Sequence, residues 1–244
     1  MKFARESTVK TFADPRPLFD CVPIPKIIDP AIDGALRGSP LRDLKDGVAY
    51  VWSTPQMRAA IWIAFLANLT AYPFTNGLLP YAAREIFGTD QTGLGYLSAS
   101  FAIGSLAGSI ALSMVGGVRV ARLMIGATAV WYATLLVFAQ MQTVPSAMAC
   151  LMLAGFSQSL CMISLAVILM RSASEKFRGR VMGVRMMVIY GLPLGLLAAG
   201  SLIDLIGYSA TGTLYAVSGL VAMMAIALHW RADLWPVHAP ANAG

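Results

Sequence analysis

Six apolar runs, each about twenty residues long and nearly free of charge, decide what this chain can become. They lie near 58–80, 92–115, 121–141, 145–170, 181–204 and 209–230. A helix needs about 20 such residues to cross a hydrocarbon core of about 30 Å. Inside lipid no water satisfies a backbone N–H or C=O, so a crossing segment has to bond itself, as a helix does. The expected fold class is therefore an all-α membrane protein with six transmembrane helices. Charged residues are only 12% of the 244 and hydrophobic ones 57%, whereas an ordinary soluble domain is about 25% charged. This excludes a soluble globule, and so much hydrophobicity excludes disorder. Three links are very short, Val118 to Val120, Gln142 to Val144 and Leu205 to Tyr208, which makes the spans they join antiparallel hairpins.

Residues 1–38 carry Pro15, Pro17, Pro23, Pro25 and Pro30 without helical or strand period, and are expected to be an irregular cytosolic extension or linker. Ser39 and Pro40 form a helix start. From there Leu41, Leu44, Val48, Val51 and Trp52 recur at helical spacing, with Arg42, Asp43, Lys45 and Asp46 on the other side. The segment 39–55 thus predicts an amphipathic helix at the membrane interface. The bundle follows over 56–232, with a cytosolic tail at 233–244. Of the eighteen Lys and Arg, all but Arg84 lie before the first span, in the even-to-odd links or in the tail. That bias places both termini in the cytoplasm.

What the spans lack narrows the function. No Asp, Glu, Lys, Arg or His lies near the middle of any of them, so an intramembrane proton relay has no obvious seat. His229 and His238 are at or beyond the end of the last span, and Gly155-Phe-Ser157-Gln-Ser159 is not a nucleophile elbow, since Ser159 replaces the second Gly. No phosphate-binding loop occurs. Cys21, Cys150 and Cys161 have no metal-ligand spacing. No enzyme activity, cofactor or metal is expected.

The polar groups inside the spans are neutral. Asn68, Thr70, Tyr72, Thr75 and Asn76 lie in the first, Tyr96, Ser98 and Ser100 in the second, Ser157, Gln158 and Ser159 in the fourth and Tyr190 in the fifth. Two readings stay open for them: hydrogen bonds to a substrate along a path, or bonds between helices within the bundle. Asn68, Asn76 and Gln158 are the costliest to bury. Pro73 and Pro193 are placed to break or kink their helices. Gly104 with Gly108, and Gly191 with Gly195, are small-xxx-small pairs that let helices approach closely. They hold corresponding places in two sets of three spans running in opposite directions, the layout of a 3+3 inverted repeat. In the links, Gly116, Gly117, Arg119 and Arg122, and likewise Arg178, Arg180 and Arg185, are candidates for a cytoplasmic switch; topology alone also accounts for the charges.

Three stretches resemble a known family. SPLRDLKDGVAYVWSTPQMRAA (Ser39–Ala60) is similar to the linker helix entering the second half of certain major facilitator transporters. GSLAGSIALSMVGGVRVAR (Gly104–Arg122) resembles a degraded copy of that superfamily's cytoplasmic loop motif. RSASEKFRGRVMGVRMMVIYGLPLGLLAAGSLIDLIG (Arg171–Gly207) resembles the region of its penultimate helix, in the enterobactin-exporter-like, or transmembrane secretion effector, branch. Over roughly 39–235 the resemblance implies helices seven to twelve of a twelve-helix bacterial inner-membrane exporter of drugs or siderophores. The first, second, fourth and fifth spans would face the cavity, and the third and sixth would be peripheral. It also implies that activity needs a partner half, either a second copy or a separate chain. A non-transporting interaction module or an inactive truncated remnant is the alternative. A permease subunit of a nucleotide-driven transporter ranks last, for want of a coupling-helix pattern.

Overall fold

Every described element of the computed structural model is helical, and the description covers residues 40–114 and 119–230. The expected extension, the tail, and Gly116 and Gly117 lie outside the described residues. Helix α1 (Pro40–Ser53) comes first, and Pro55 opens α2 (Pro55–Leu66) after an extended Thr54. Beyond α2 the chain stays helical but in pieces: wide turns at Ala67–Ala71, Pro73–Gly77 and Ala82–Ile86, with Leu79–Tyr81 between. The wide turns close on the fifth residue, as Leu78 N–H to the Pro73 carbonyl (2.7 Å) and Phe87 N–H to the Ala82 carbonyl (2.9 Å) show. Prolines 73 and 80 each remove a donor and crowd the preceding turn, and wide turns are how a helix absorbs that.

The rest is more regular: α3 (Gln91–Met114), α4 (Val120–Phe138), α5 (Val144–Ser172), a short turn at Glu175–Phe177, α6 (Arg178–Val188), α7 (Gly191–Ile206) and α8 (Tyr208–His229). Among the described residues five helices are long and apolar enough to cross a membrane: α3, α4, α5, the α6–α7 rod and α8. Their limits sit close to the expected spans two to six. The expected first span, 58–80, falls in the interrupted rod and is not one of the five. The expected fifth span, 181–204, is two helices. Pro193 returns no N–H to Ile189, and the chain tightens there, with Ile189 N–H on the Met186 carbonyl (3.2 Å) and Leu192 N–H on the Ile189 carbonyl (2.9 Å). Between α7 and α8 the link turns at Gly207, whose φ of +84° suits glycine alone.

Helix α5 is the spine, with α3 and α4 along it. Helix α8 packs on α4 and on the α2 rod, and α7 packs on the wide-turn segments of that rod. Glycines set the closest approaches. A Cβ on Gly104 would meet the Met152 carbonyl, and one on Gly108 would come within 2.6 Å of the Phe156 carbonyl oxygen. On the other side of the bundle, Gly195 lies against the Leu69 carbonyl and Pro73, and Gly191 against Phe65. The two sets share a register. Gly191 and Gly195 are 87 positions after Gly104 and Gly108, while Phe65 and Leu69 are 87 positions before Met152 and Phe156. The core between the rods holds Trp131, Tyr132, Phe74 and Met57, all essentially inaccessible.

Helix α1 lies across the end of the bundle that carries the 172–180 link. Val51 is buried in the core, with Leu44 and Val48 packed beside it. Trp52, expected on the same apolar side, is instead 46% exposed. The polar side is pinned. Arg180 donates to Asp43 at 2.7 Å and lies 3.5 Å from Asp46. Tyr50 stacks on Phe177 with ring centres 4.5 Å apart, and its hydroxyl accepts from the Ser174 N–H at 3.2 Å. That bond holds the Tyr50 phenol below its ordinary pKa. Gly47 leaves room for the Arg180 backbone, whose carbonyl oxygen would lie 3.0 Å from a Cβ.

Candidate functional site

Hydrogen bonds that cross between rods pick out which neutral polar groups act together. Gln158, midway along α5, donates through Nε2 to the Tyr72 hydroxyl at 3.0 Å. Its Oε1 accepts from Ser105 of α3 at 3.4 Å, and Ser105 also reaches the Gly155 carbonyl at 3.2 Å. One turn on, Ser109 of α3 and Ser159 of α5 share a bond of 2.9 Å. A polar chain thus joins the α2 rod, α5 and α3. Trp131 of α4 closes it on one side, its ring edge-on to Tyr72 with centres 5.3 Å apart. Tyr132, beside it, is bonded to Thr70 at 2.7 Å. Neutral donors and acceptors in an apolar wall can orient a small molecule by a few hydrogen bonds.

The remaining candidates are placed elsewhere. Asn68 is buried, and its amide donates to the Ala64 carbonyl of its own helix at 2.9 Å. Thr75 is buried with a long bond, 3.4 Å, to the Tyr72 carbonyl. Ser100 and Ser157 each donate back to the carbonyl four residues earlier, Tyr96 and Leu153. Asn76 and Ser98 are exposed, as are Tyr96 and Tyr190, 59% and 73%. Among the link residues, Arg119 and Arg122 are exposed, Arg178 has only a loose pairing to Glu175 at 3.9 Å, and Arg180 holds α1. Arg185 is half-buried and has no carboxylate partner among the described residues.

Two members of the polar chain, Ser105 and Ser109, are absent from the sequence-derived set. Their spacing was available, since Ser105 and Ser109 are four apart, but it is their hydrogen bonds that place them on α5 beside the glycine stripe. Trp131 and Tyr132 come from the span expected to be peripheral, which nonetheless supplies one wall. Cys150 and Cys161 carry free thiols, and Cys161 lies 3.0 Å from the Thr128 hydroxyl.

Openness differs between the rods. Along their most apolar stretches, helix α3 and the α6–α7 rod have 22% of residues buried, against 39–50% for α4, α5 and α8. Their outward faces carry large apolar groups such as Leu106, Ile110, Leu194 and Leu197.

Comparison with known proteins bears on what such a bundle is. The model of the Major Facilitator Superfamily matches residues 61–242, a stretch that begins after α1. The multidrug efflux pump Tap of Mycolicibacterium fortuitum is 26% identical over 173 residues, which is 70% of this chain and 42% of that protein. The chain therefore spans less than half the length of that relative. No solved structure matches.

Proposed function

Because this chain belongs to the major facilitator superfamily, we propose that it forms the C-terminal half of a secondary-active exporter of small amphipathic molecules. The interrupted α2 rod serves as the first of six spans in a bacterial inner membrane, with both termini in the cytoplasm. Export of drug-like molecules is the activity named for its relative Tap. A transporter of this superfamily displaces the permease of a nucleotide-driven system as a reading.

The 87-residue register supports a 3+3 inverted repeat. It relates α3 on α5 to α7 on the α2 rod, and it maps the contact between Tyr132 and Gly219, themselves 87 apart, onto itself. In such folds the site lies near the midplane, and access alternates as one half rocks against the other. The open faces of α3 and α6–α7 are where the second half would dock, whether it belongs to the same polypeptide or to another chain.

The observation that carries the reading is the Tyr72–Gln158–Ser105 chain, which joins three rods by neutral polar groups in an apolar bundle. Tyr72 and Gln158 are the residues on which substrate would exchange hydrogen bonds, with Ser159, Asn68, Thr70 and Thr75 as candidates along the same path. The test is flux of an amphipathic fluorescent dye from proteoliposomes holding this chain together with a second half. Tyr72→Phe and Gln158→Ala are expected to lower flux severalfold, in keeping with about 1 kcal/mol for each lost bond, while folding persists. Unchanged flux in both variants would remove the chain from the path. No flux in any assembly would favour a non-transporting module instead.

A further inference from the structure

Helices α7 and α8 pack together from their link at Gly207 as far as Tyr215, whose hydroxyl donates to the Gly195 carbonyl at 2.8 Å. Beyond that level they part. Helices α6 and α8 both pack on α2, yet they scarcely touch each other. A notch therefore opens between them toward the end of the bundle that carries α1, with α2 as its floor. On that floor Trp62 is 42% exposed, and Phe65 stands edge-on to it with ring centres 6.1 Å apart. One turn before Trp62, at the lip, is Arg58. Its guanidinium lies 5.9 Å from the centre of the Trp230 ring at the end of α8. The Arg58 side chain is held in rather than spread into water: the residue is half-buried, and its Nε is buried without a hydrogen-bond partner. Among the described residues the paired carboxylates, Asp43, Asp46, Glu85 and Glu175, belong to other arginines. A half-buried cation with no acceptor calls for an anion.

We propose that this notch holds one anionic phospholipid of the leaflet on the α1 side, its phosphate on Arg58 beside Trp230 and an acyl chain over Trp62. A guanidinium meets phosphate with two parallel hydrogen bonds, and tryptophans at a helix end mark the level of the head groups. The length fits an acyl chain in one leaflet. Helix α7 closes the notch where Gly195 meets the Leu69 carbonyl, eleven residues and about 16 Å from Arg58, roughly half of a 30 Å hydrocarbon core. The side also fits. Helix α8 packs on α4, α2 and α7 and scarcely on α5, so the notch lies across the α6–α7 rod from α5. A second half docked on α3 and on the α5 side of that rod leaves it open to the bilayer. Basic pockets between membrane helices bind anionic head groups by this chemistry. The proposal needs only membrane embedding and stands apart from transport.

The experiment is native mass spectrometry of the chain released from micelles doped with phosphatidylglycerol or phosphatidylcholine of identical acyl chains. One retained phosphatidylglycerol is expected in preference to phosphatidylcholine. R58Q should weaken its retention about fivefold, the worth of one arginine near an anionic surface. R58K keeps the charge and should retain most of the preference, which a purely structural role for Arg58 would not allow. R119Q, which removes an exposed arginine of the α3–α4 link, should leave it unchanged. Helicity and melting confirm the fold of each variant. Equal retention of phosphatidylcholine, or equal loss in R58Q and R119Q, would overturn the proposal. Release of the lipid by millimolar inorganic phosphate would overturn it too, by reassigning Arg58 to a soluble anion.

Discussion

Replacing Gly104 by alanine tests whether glycine contact holds the α3–α5 interface. The added methyl would overlap the Met152 carbonyl oxygen and lie 2.7 Å from its carbon and 2.9 Å from Cα. Carbon atoms in contact sit about 3.5–4.0 Å apart, so the helices have to separate by about 1 Å. These neighbours are backbone in the middle of a helix and cannot swing aside. A gap of that size forfeits a quarter to a half of each dispersion contact along the seam. Besides the hydrogen bonds of Ser105 and Ser109 to α5, helix α3 buries only small groups and one leucine, Gly93, Leu97, Ser100, Gly104 and Gly108. Overpacking of this kind costs about 1–3 kcal/mol. For a chain of this length each kcal/mol lowers the melting temperature by about 2–4 °C. The control is Gly126→Ala in α4, where a Cβ meets nothing within 4 Å and better helix propensity is expected to leave stability equal or slightly higher. Melting of the purified protein in detergent, followed by tryptophan emission, compares the two. Gly195→Ala should fall with Gly104→Ala, since its Cβ would strike the Leu69 carbonyl and Pro73. The reasoning fails if Gly104→Ala and Gly126→Ala melt together.

Two other outcomes follow from the ends of the bundle. Arg180→Met and Asp43→Asn should be coupled by about 0.5–1 kcal/mol in a double-mutant cycle on stability, a modest value because the two side chains are 28% and 39% exposed; additivity of the two changes would show that α1 is not held by this pair. At the opposite end, the Gly93 N–H bonds the Asp90 carboxylate at 2.9 Å and is the leading cause of its pKa lying below the ordinary 3.8. A depressed carboxylate stabilises the fold above its unfolded pKa and loses that contribution as pH falls through the folded one. Acid titration of melting should therefore show a loss below about pH 4 that disappears in Asp90→Asn, and an unaltered profile in that variant would refute the assignment.

That the chain folds into apolar helices of membrane length, five of them among the described residues, was legible in the sequence because bilayer thickness imposes a length that composition reports directly. The sixth span, expected at 209–230, is Tyr208–His229, and the second, expected at 92–115, is described from Gln91 to Met114. Proline positions were legible too, but not their outcome: Pro73 produces a run of wide turns that keeps the rod going, while Pro193 divides a span into two helices. The polar chain was visible only as unconnected members. Tyr72 and Gln158 stood among the candidates, yet their bond joins residues 86 apart, and no periodicity reports which faces of two distant helices meet. Asn68 drew attention because an amide is costly in lipid. Its helix removes that cost locally, through the carbonyl four residues back, a solution open to any short side chain that carries a donor.

Where the proposed repeat is followed residue by residue, packing and chemistry part company. The glycines recur at 87 positions, as do the carbonyls they touch. The polar chain does so only where Tyr72 corresponds to Ser159: 87 positions from Gln158 stands Ala71, from Ser105 Leu192, and from Ser109 Leu196. Glycine contact answers to backbone geometry, which both halves of a repeat must satisfy if they are to fold the same way, and so it is held in both. Hydrogen bonding to a solute places no such demand on the second copy, which is free to become apolar. Gln158 has no polar mate at its repeat position and bonds across to two other rods, which sets it apart from Ser100 and Ser157, whose hydroxyls bond their own helix.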